Sequence, residues 1–152
     1  MRLKDVMKRR VTVVTPDTLL REAARKMKVA GISVLPVCEG RRVVGLLSAR
    51  DITVRATARG CDARTTRVRE VMTTPAICGR EDDDLAAATV PMQRWRLSRL
   101  PVLNRRLELA GMVSLRELRA KMGGASQSAQ KSKAKRHPRT RRTRPSSTQE
   151  NI

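Results

Sequence analysis

Along residues 20–27 the apolar side chains Leu20, Ala23, Ala24 and Met27 fall at i, i+3, i+4 and i+7, while Arg21, Glu22, Arg25 and Lys26 take positions between them. That is the apolar face of a helix with charge on its other sides. Gly31, just beyond the last apolar position, is where such a helix stops. Upstream, Val11 to Val14 is a short apolar run broken by the turn signal Thr15-Pro16-Asp17, which reads as a strand entering the helix. Downstream, ISVLPV (32–37) and RRVVGLL (41–47) read as two strands joined at Glu39-Gly40. A second helix starts near Ser48 and ends at Gly60. The order is strand, helix, strand, strand, helix.

The same order is then written again. With 5–37 laid over 70–102, Val6, Met7, Leu20, Ala23, Met27, Ser33, Leu35, Pro36 and Val37 fall on Val71, Met72, Leu85, Ala88, Met92, Ser98, Leu100, Pro101 and Val102, each displaced by 65 residues. After one inserted residue, Gly45, Ser48 and Arg50 fall on Gly111, Ser114 and Arg116. This is a tandem duplication. A unit of roughly 60 residues buries too little surface to stand comfortably alone, so the two copies are expected to pack together. The second copy carries Pro91 inside its amphipathic helix, where proline costs about 3 kcal/mol and a distorted helix is expected. Trp95, the only tryptophan in a chain without tyrosine or phenylalanine, replaces Ala30. It reads as a core or interface anchor rather than a ligand platform.

Two heptapeptides carry the candidate chemistry: GLLSARD (45–51) and GMVSLRE (111–117). In each, an acid follows a serine by three positions, the relation of a helix capping box, in which the hydroxyl accepts from the amide of the acid and the carboxylate accepts from the amide of the serine. Such a cap stabilises by about 1 kcal/mol. A helix N-terminus is also an anion site, so capping and ligand binding are compatible at this place.

Composition narrows the class. The chain has no run approaching 18 apolar residues and no charged-then-apolar leader, so it is expected to be soluble and cytoplasmic, without membrane association. Its 34 Lys and Arg against 14 Asp and Glu give a formal charge of +20, which suggests a polyanionic partner. Cys38, Cys61 and Cys78 are odd in number and lack a Cys-x-x-Cys pair, so they read as small buried or half-buried thiols in a reducing compartment rather than metal ligands. His137 has no acid, serine or cysteine near it in sequence to form a relay. No active site is legible, and the chain is expected not to be an enzyme.

The residues resemble the tandem CBS domain, or Bateman module, over about 3–122. The resemblance rests on DVM and EVM opening the copies, VLPV and RLPV in the strands, the paired GLLSARD and GMVSLRE, and the linker RDITVRATARGCDARTTRVREVMT (50–73), which is similar to that of stand-alone bacterial two-CBS proteins. It implies an α+β fold of two β-α-β-β-α repeats packed about a pseudo-two-fold axis, commonly assembled as a disc-shaped homodimer. The implied divisions are a first CBS domain at 3–60, a linker at 61–67, a second CBS domain at 68–122, and a disordered basic tail at 123–152. In the family the glycine-to-acid segment cradles an adenosine, the carboxylate accepting from the ribose hydroxyls and the serine contacting ribose or phosphate. Carried over, this assigns Gly45, Ser48, Arg50 and Asp51 to one site and Ser114 and Glu117 to the other. Asp51 matches the family pattern and Glu117 is one methylene longer, so the first site is the better one. Arg99 stands where the first copy has Val34, and a basic residue there in related modules reaches the phosphate held mainly by the other repeat; Arg99 is therefore expected to complete the Asp51 site. The adenine is expected in an apolar slot, bonding to backbone along Val11 to Val13. The implied function is a regulatory module that requires no cofactor and binds AMP, ADP, ATP or a dinucleotide such as NAD.

An alternative is a nucleic-acid-associated protein whose CBS core is a dimerisation scaffold. Residues 123–152 have no apolar periodicity and hold eight of the 34 basic residues, Lys131, Lys133, Lys135, Arg136, Arg139, Arg141, Arg142 and Arg144, with one of the 14 acids. Without aromatic side chains there, contacts to DNA or RNA would be to phosphate and indifferent to sequence. In that case a salt titration by fluorescence anisotropy gives a log–log slope of roughly −6 or −7, a loss of about three to four decades between 50 and 200 mM salt. Truncation at Gly123 is expected to remove most of that slope; equal binding by full-length and truncated chains at low salt would exclude the tail as the binding element.

Overall fold

The computed structural model describes residues 1–123; the basic segment expected to be disordered lies outside them from residue 124 onward. The first repeat comprises helix α2 (Leu20–Ala30), strands β1 (Val34–Glu39) and β2 (Arg42–Ser48), and a helix that begins as α3 (Ala49–Asp51) and continues in wide π-type turns over Ile52–Thr57. The second comprises β3 (Gly79–Arg80), α4 (Leu85–Arg94), β4 (Arg99–Leu103), β5 (Leu109–Ser114) and α5 (Leu115–Met122). Each repeat is opened by a short helical turn, α1 (Leu3–Val6) or a 3₁₀ turn at Val68–Glu70. No helix among the described residues is long and apolar enough to cross a membrane.

The opening turns are exchanged. Leu3, which leads the first repeat in sequence, is fully buried in the core of the second, with Leu85, Met92, Leu100, Val102 and Leu118. Val68 and Val71, which lead the second, are buried with Leu20, Ala23, Met27, Leu35 and Leu47 of the first. Full burial of one such side chain stabilises by about 1.5–3 kcal/mol, and the backbone follows the side chains. Leu3 N–H donates to Asp83 O at 3.0 Å and Val68 N–H to Thr18 O at 2.8 Å. Lys8 and Met112 then exchange two bonds of 2.9 Å, as Thr73 and Leu46 do at 2.8 and 3.0 Å. Every one of these contacts has its copy one repeat away.

That exchange accounts for the glycine in both heptapeptides. A Cβ on Gly45 would lie 2.9 Å from Met72 Sδ and 3.1 Å from Thr73 O; on Gly111 it would lie 2.7 Å from Met7 Sδ and 2.9 Å from Lys8 O. The methionines of DVM and EVM cross over these glycines, and both glycines are buried. Gly45 is therefore a packing residue, not the ligand contact the resemblance implied.

The hairpins form as the pattern predicts, β1 antiparallel to β2 and β4 antiparallel to β5, with Gly40 at a φ of 61° in the first turn. The expected strand Val11 to Val14 shrinks to a single parallel bridge between Val14 and Val37, whereas its counterpart keeps two residues in β3. Proline is the reason. Pro36 in β1 and Pro101 in β4 have no N–H to donate toward the preceding part of the segment, so pairing can extend only forward. There Glu81 N–H donates to Leu103 O at 2.9 Å, but Pro16, its counterpart, has no donor. The expected distortion at Pro91 does not interrupt α4, which runs to Arg94. Leu85, Ala88 and Met92 bury one face, which holds the helix while proline removes a single bond near its end.

All three cysteines are free, and burial pushes the Cys78 thiol up to about 11 and raises that of Cys38.

The close approach at the glycines makes a direct prediction. Gly45→Ala and Gly111→Ala are expected to destabilise the chain by about 1–3 kcal/mol through overpacking, Gly111→Ala more because its neighbours are nearer. Urea unfolding followed by circular dichroism measures both; wild-type midpoints would contradict the exchange of opening segments.

Candidate functional site

Two clefts lie on the two sides of the internal pseudo-two-fold, which passes between Ser33 and Ser98, copy-related hydroxyls 3.3 Å apart. Their common floor is a small apolar cluster of Val34, Leu46 and Met112, joined by Val11, Ala76, Ile77 and Leu97 from both repeats.

The larger cleft, about 420 Å³, is built around Asp51. Ser48 caps the helix: Asp51 N–H donates to Ser48 Oγ at 3.0 Å and Ser48 N–H donates to Asp51 Oδ2 at 2.9 Å, the complete capping box. Thr73 Oγ1 donates to Asp51 Oδ1 at 3.2 Å, and Arg55 Nε stands 3.8 Å from the same oxygen. Arg55 also donates through Nη1 to Val71 O at 3.3 Å and Met72 O at 3.1 Å, pinning the helix to the exchanged turn. The Asp51 side chain is only 14% exposed. A carboxylate offers about four acceptor positions. Two hold structural donors, and the remainder serve a ligand's hydroxyls. Val34 and Leu46 of the first repeat and Ile77 and Leu97 of the second supply an apolar wall, while Arg50 and Arg96 bring cations.

The smaller cleft, about 210 Å³, is its copy with different side chains. Glu117 N–H donates to Ser114 Oγ at 3.1 Å, but the carboxylate does not return to the serine amide; it pairs with Lys8 Nζ at 3.0 Å. The Lys8 ammonium, chiefly through its hydrogen bond, holds the Glu117 carboxyl below its usual range, with Ser114 and Arg99 lowering it further. Lys8 occupies the place of Thr73, so the acid that the larger cleft leaves half free is here neutralised within the chain. The complete capping box thus belongs to aspartate, although glutamate is the usual acid of that motif.

Placement corrects three sequence expectations. Arg99 pairs with Ser114 across β4 and β5, as Val34 pairs with Ser48, and it lines the smaller cleft with Lys8 and Arg10 rather than completing the Asp51 cleft. Val11 also lines the smaller cleft, and Val13 offers its carbonyl to Lys26 Nζ at 3.2 Å. The exchange of opening segments carries each trailing segment to the opposite side, so Thr73 to Ile77 stand at the Asp51 cleft in place of Val11 to Val13. Trp95 is not a core residue: it is 57% exposed at the wall of the Asp51 cleft, with the Arg94 guanidinium 5.6 Å from its ring centroid. Arg50, Ser48 and Asp51 are brought together as expected, whereas Arg55, Thr73 and Arg96 were missed. The register of the duplication could have found Arg96, because it falls on Gly31.

The model of the CBS domain matches residues 3–56 and 68–124. The chain is 36% identical over 116 residues to the CBS domain-containing protein YhcV of Bacillus subtilis, an alignment covering 76% of this chain and 81% of that one. Inosine-5'-monophosphate dehydrogenases are matched over only 22% of their length. Among solved structures, a CBS domain protein from Pyrobaculum aerophilum complexed with AMP has a TM-score of 0.70 at 23% identity, covering 77% of this chain and 89% of that one. The CBS domain pair of protein MJ0100, in complex with 5-methylthioadenosine and S-adenosyl-L-methionine, has a TM-score of 0.71 at 22% identity over 82% of this chain and 97% of that one. Two matched domains, the duplicated fold and the paired clefts make this chain a member of the CBS domain family with two CBS domains in tandem.

Proposed function

We propose that the chain is a non-enzymatic regulatory module that binds an adenine nucleotide, AMP, ADP, ATP or NAD, in the Asp51 cleft and signals occupancy through the packing of its repeats. The observation that carries this reading is Asp51 itself: a mostly buried carboxylate, fixed by Ser48 and Thr73, with acceptor positions to spare beside an apolar wall. A vicinal pair of ribose hydroxyls suits those acceptors, and a purine suits the wall. The AMP and S-adenosyl-L-methionine complexes of the Pyrobaculum and MJ0100 proteins support adenosine as the shared element. Because the cleft is walled by Ser48 and Asp51 of the first repeat and by Ile77 and Ser98 of the second, a ligand would bridge both and bias how they pack. The Glu117 cleft, smaller and closed by Lys8, is proposed to be the weaker site or none.

The module is proposed to act as a homodimer, with exposed Val29 on α2 and Val90 on α4 as candidates for the surface a second copy covers. Sedimentation velocity is expected to give twice the chain mass of 17.0 kDa.

A saturating ligand stabilises the fold by about 2.7 kcal/mol at a hundredfold excess over its Kd. Thermal unfolding with millimolar AMP, ADP, ATP or NAD is therefore expected to shift upward by several degrees for at least one of them, and calorimetry to give one tight site per chain. Asp51→Ala is expected to weaken that ligand at least tenfold while the protein stays folded. Unchanged melting with all four would end the nucleotide reading.

A further inference from the structure

The repeats differ sharply where their amphipathic helices end. Gly31 closes α2 at a φ of 65°, and the residue in register with it, Arg96, follows α4 at a φ of 53°. The left-handed region suits glycine and burdens an arginine, whose Cβ crowds the following carbonyl. A side chain held against that preference at the wall of a ligand cleft marks a functional constraint. Arg96 lines the Asp51 cleft together with Arg50 and Arg55, three guanidinium groups against the one carboxylate. Arg55 is engaged by Asp51 and by two backbone carbonyls. Among the described residues, no hydrogen bond or ion pair engages the side chain of Arg50 or Arg96. The cleft thus carries an excess of positive charge with two forks of unspent donors, a geometry matched to phosphate oxygens.

We propose that Arg96, held in a left-handed conformation at the end of α4, acts with Arg50 to select phosphorylated adenosines for the Asp51 cleft and to reject uncharged or sulfonium-bearing ones. This rests on the adenosine reading above and narrows it. An S-adenosyl sulfonium would bring a third kind of cation into a cleft already in positive excess, and a thioether adenosine would leave both arginines unanswered. Trp95, beside Arg96 on the same wall, is the only tryptophan and reports on the cleft directly.

The test is a titration of the full-length chain with ATP, AMP, adenosine, 5'-methylthioadenosine and S-adenosyl-L-methionine, read by Trp95 emission and by calorimetry. ATP and AMP are expected to bind at least tenfold more tightly than adenosine or 5'-methylthioadenosine, with S-adenosyl-L-methionine weakest. Arg96→Asn keeps a residue that tolerates the left-handed region without charge. It is expected to lose at least tenfold in ATP affinity and less than twofold for adenosine. Arg96→Gly is expected to show the same loss while melting at a higher temperature than wild type, a combination that a purely structural arginine would not give. S-adenosyl-L-methionine binding as tightly as ATP, or undiminished ATP affinity in both variants, would overturn the proposal. Adenosine binding as tightly as ATP overturns the charge selection alone; binding by none of the five overturns the adenosine reading with it.

Discussion

The exchange of the opening turns is the constraint on which the rest of the molecule depends. Leu3 and Val68 each complete a hydrophobic core belonging to the other repeat, and the backbone that follows them is tied down by paired bonds at Lys8 with Met112 and Thr73 with Leu46. Those bonds bring Met7 over Gly111 and Met72 over Gly45, which is why neither position has room for a side chain. They also set which residues reach each cleft. Thr73 arrives beside Asp51 and Lys8 beside Glu117 because each follows a turn that has crossed over.

From one frame, then, two unlike clefts result. Thr73 gives Asp51 a neutral donor and leaves the carboxylate charged; Lys8 gives Glu117 a cation and closes the pair on itself. Trp95 and Arg96 enlarge and charge one wall where Ala30 and Gly31 leave the other plain. Capping and binding are not rivals at Asp51. One oxygen caps the helix, and the cap is what holds the other in place to meet a ligand.

Much of this was legible in the sequence. The helix at 20–30, both hairpins, the duplication and the cap at Ser48 follow from local periodicity and short-range spacing, which the structure preserves. What was not legible is long-range. The pattern Val11 to Val14 looks like a strand because its side chains suit one, but the missing N–H of Pro36 lies in another strand and decides otherwise. Arg99 and Val11 were assigned to the Asp51 cleft because nothing in a linear pattern shows that a segment crosses to the other repeat. Trp95 looked like a core residue by its chemistry, yet the helix before it already buries Leu85, Ala88 and Met92 and leaves no interior place for it.

The crossing of the opening turns has a consequence for descent. A single repeat of this kind, made alone, would hold a turn whose binding place is in another repeat, and the only one available would be in a second identical molecule. The tandem chain is then the covalent form of a swapped pair. Fusion freed the two halves from identity, so that one acid could be surrendered to a lysine while its counterpart stayed open.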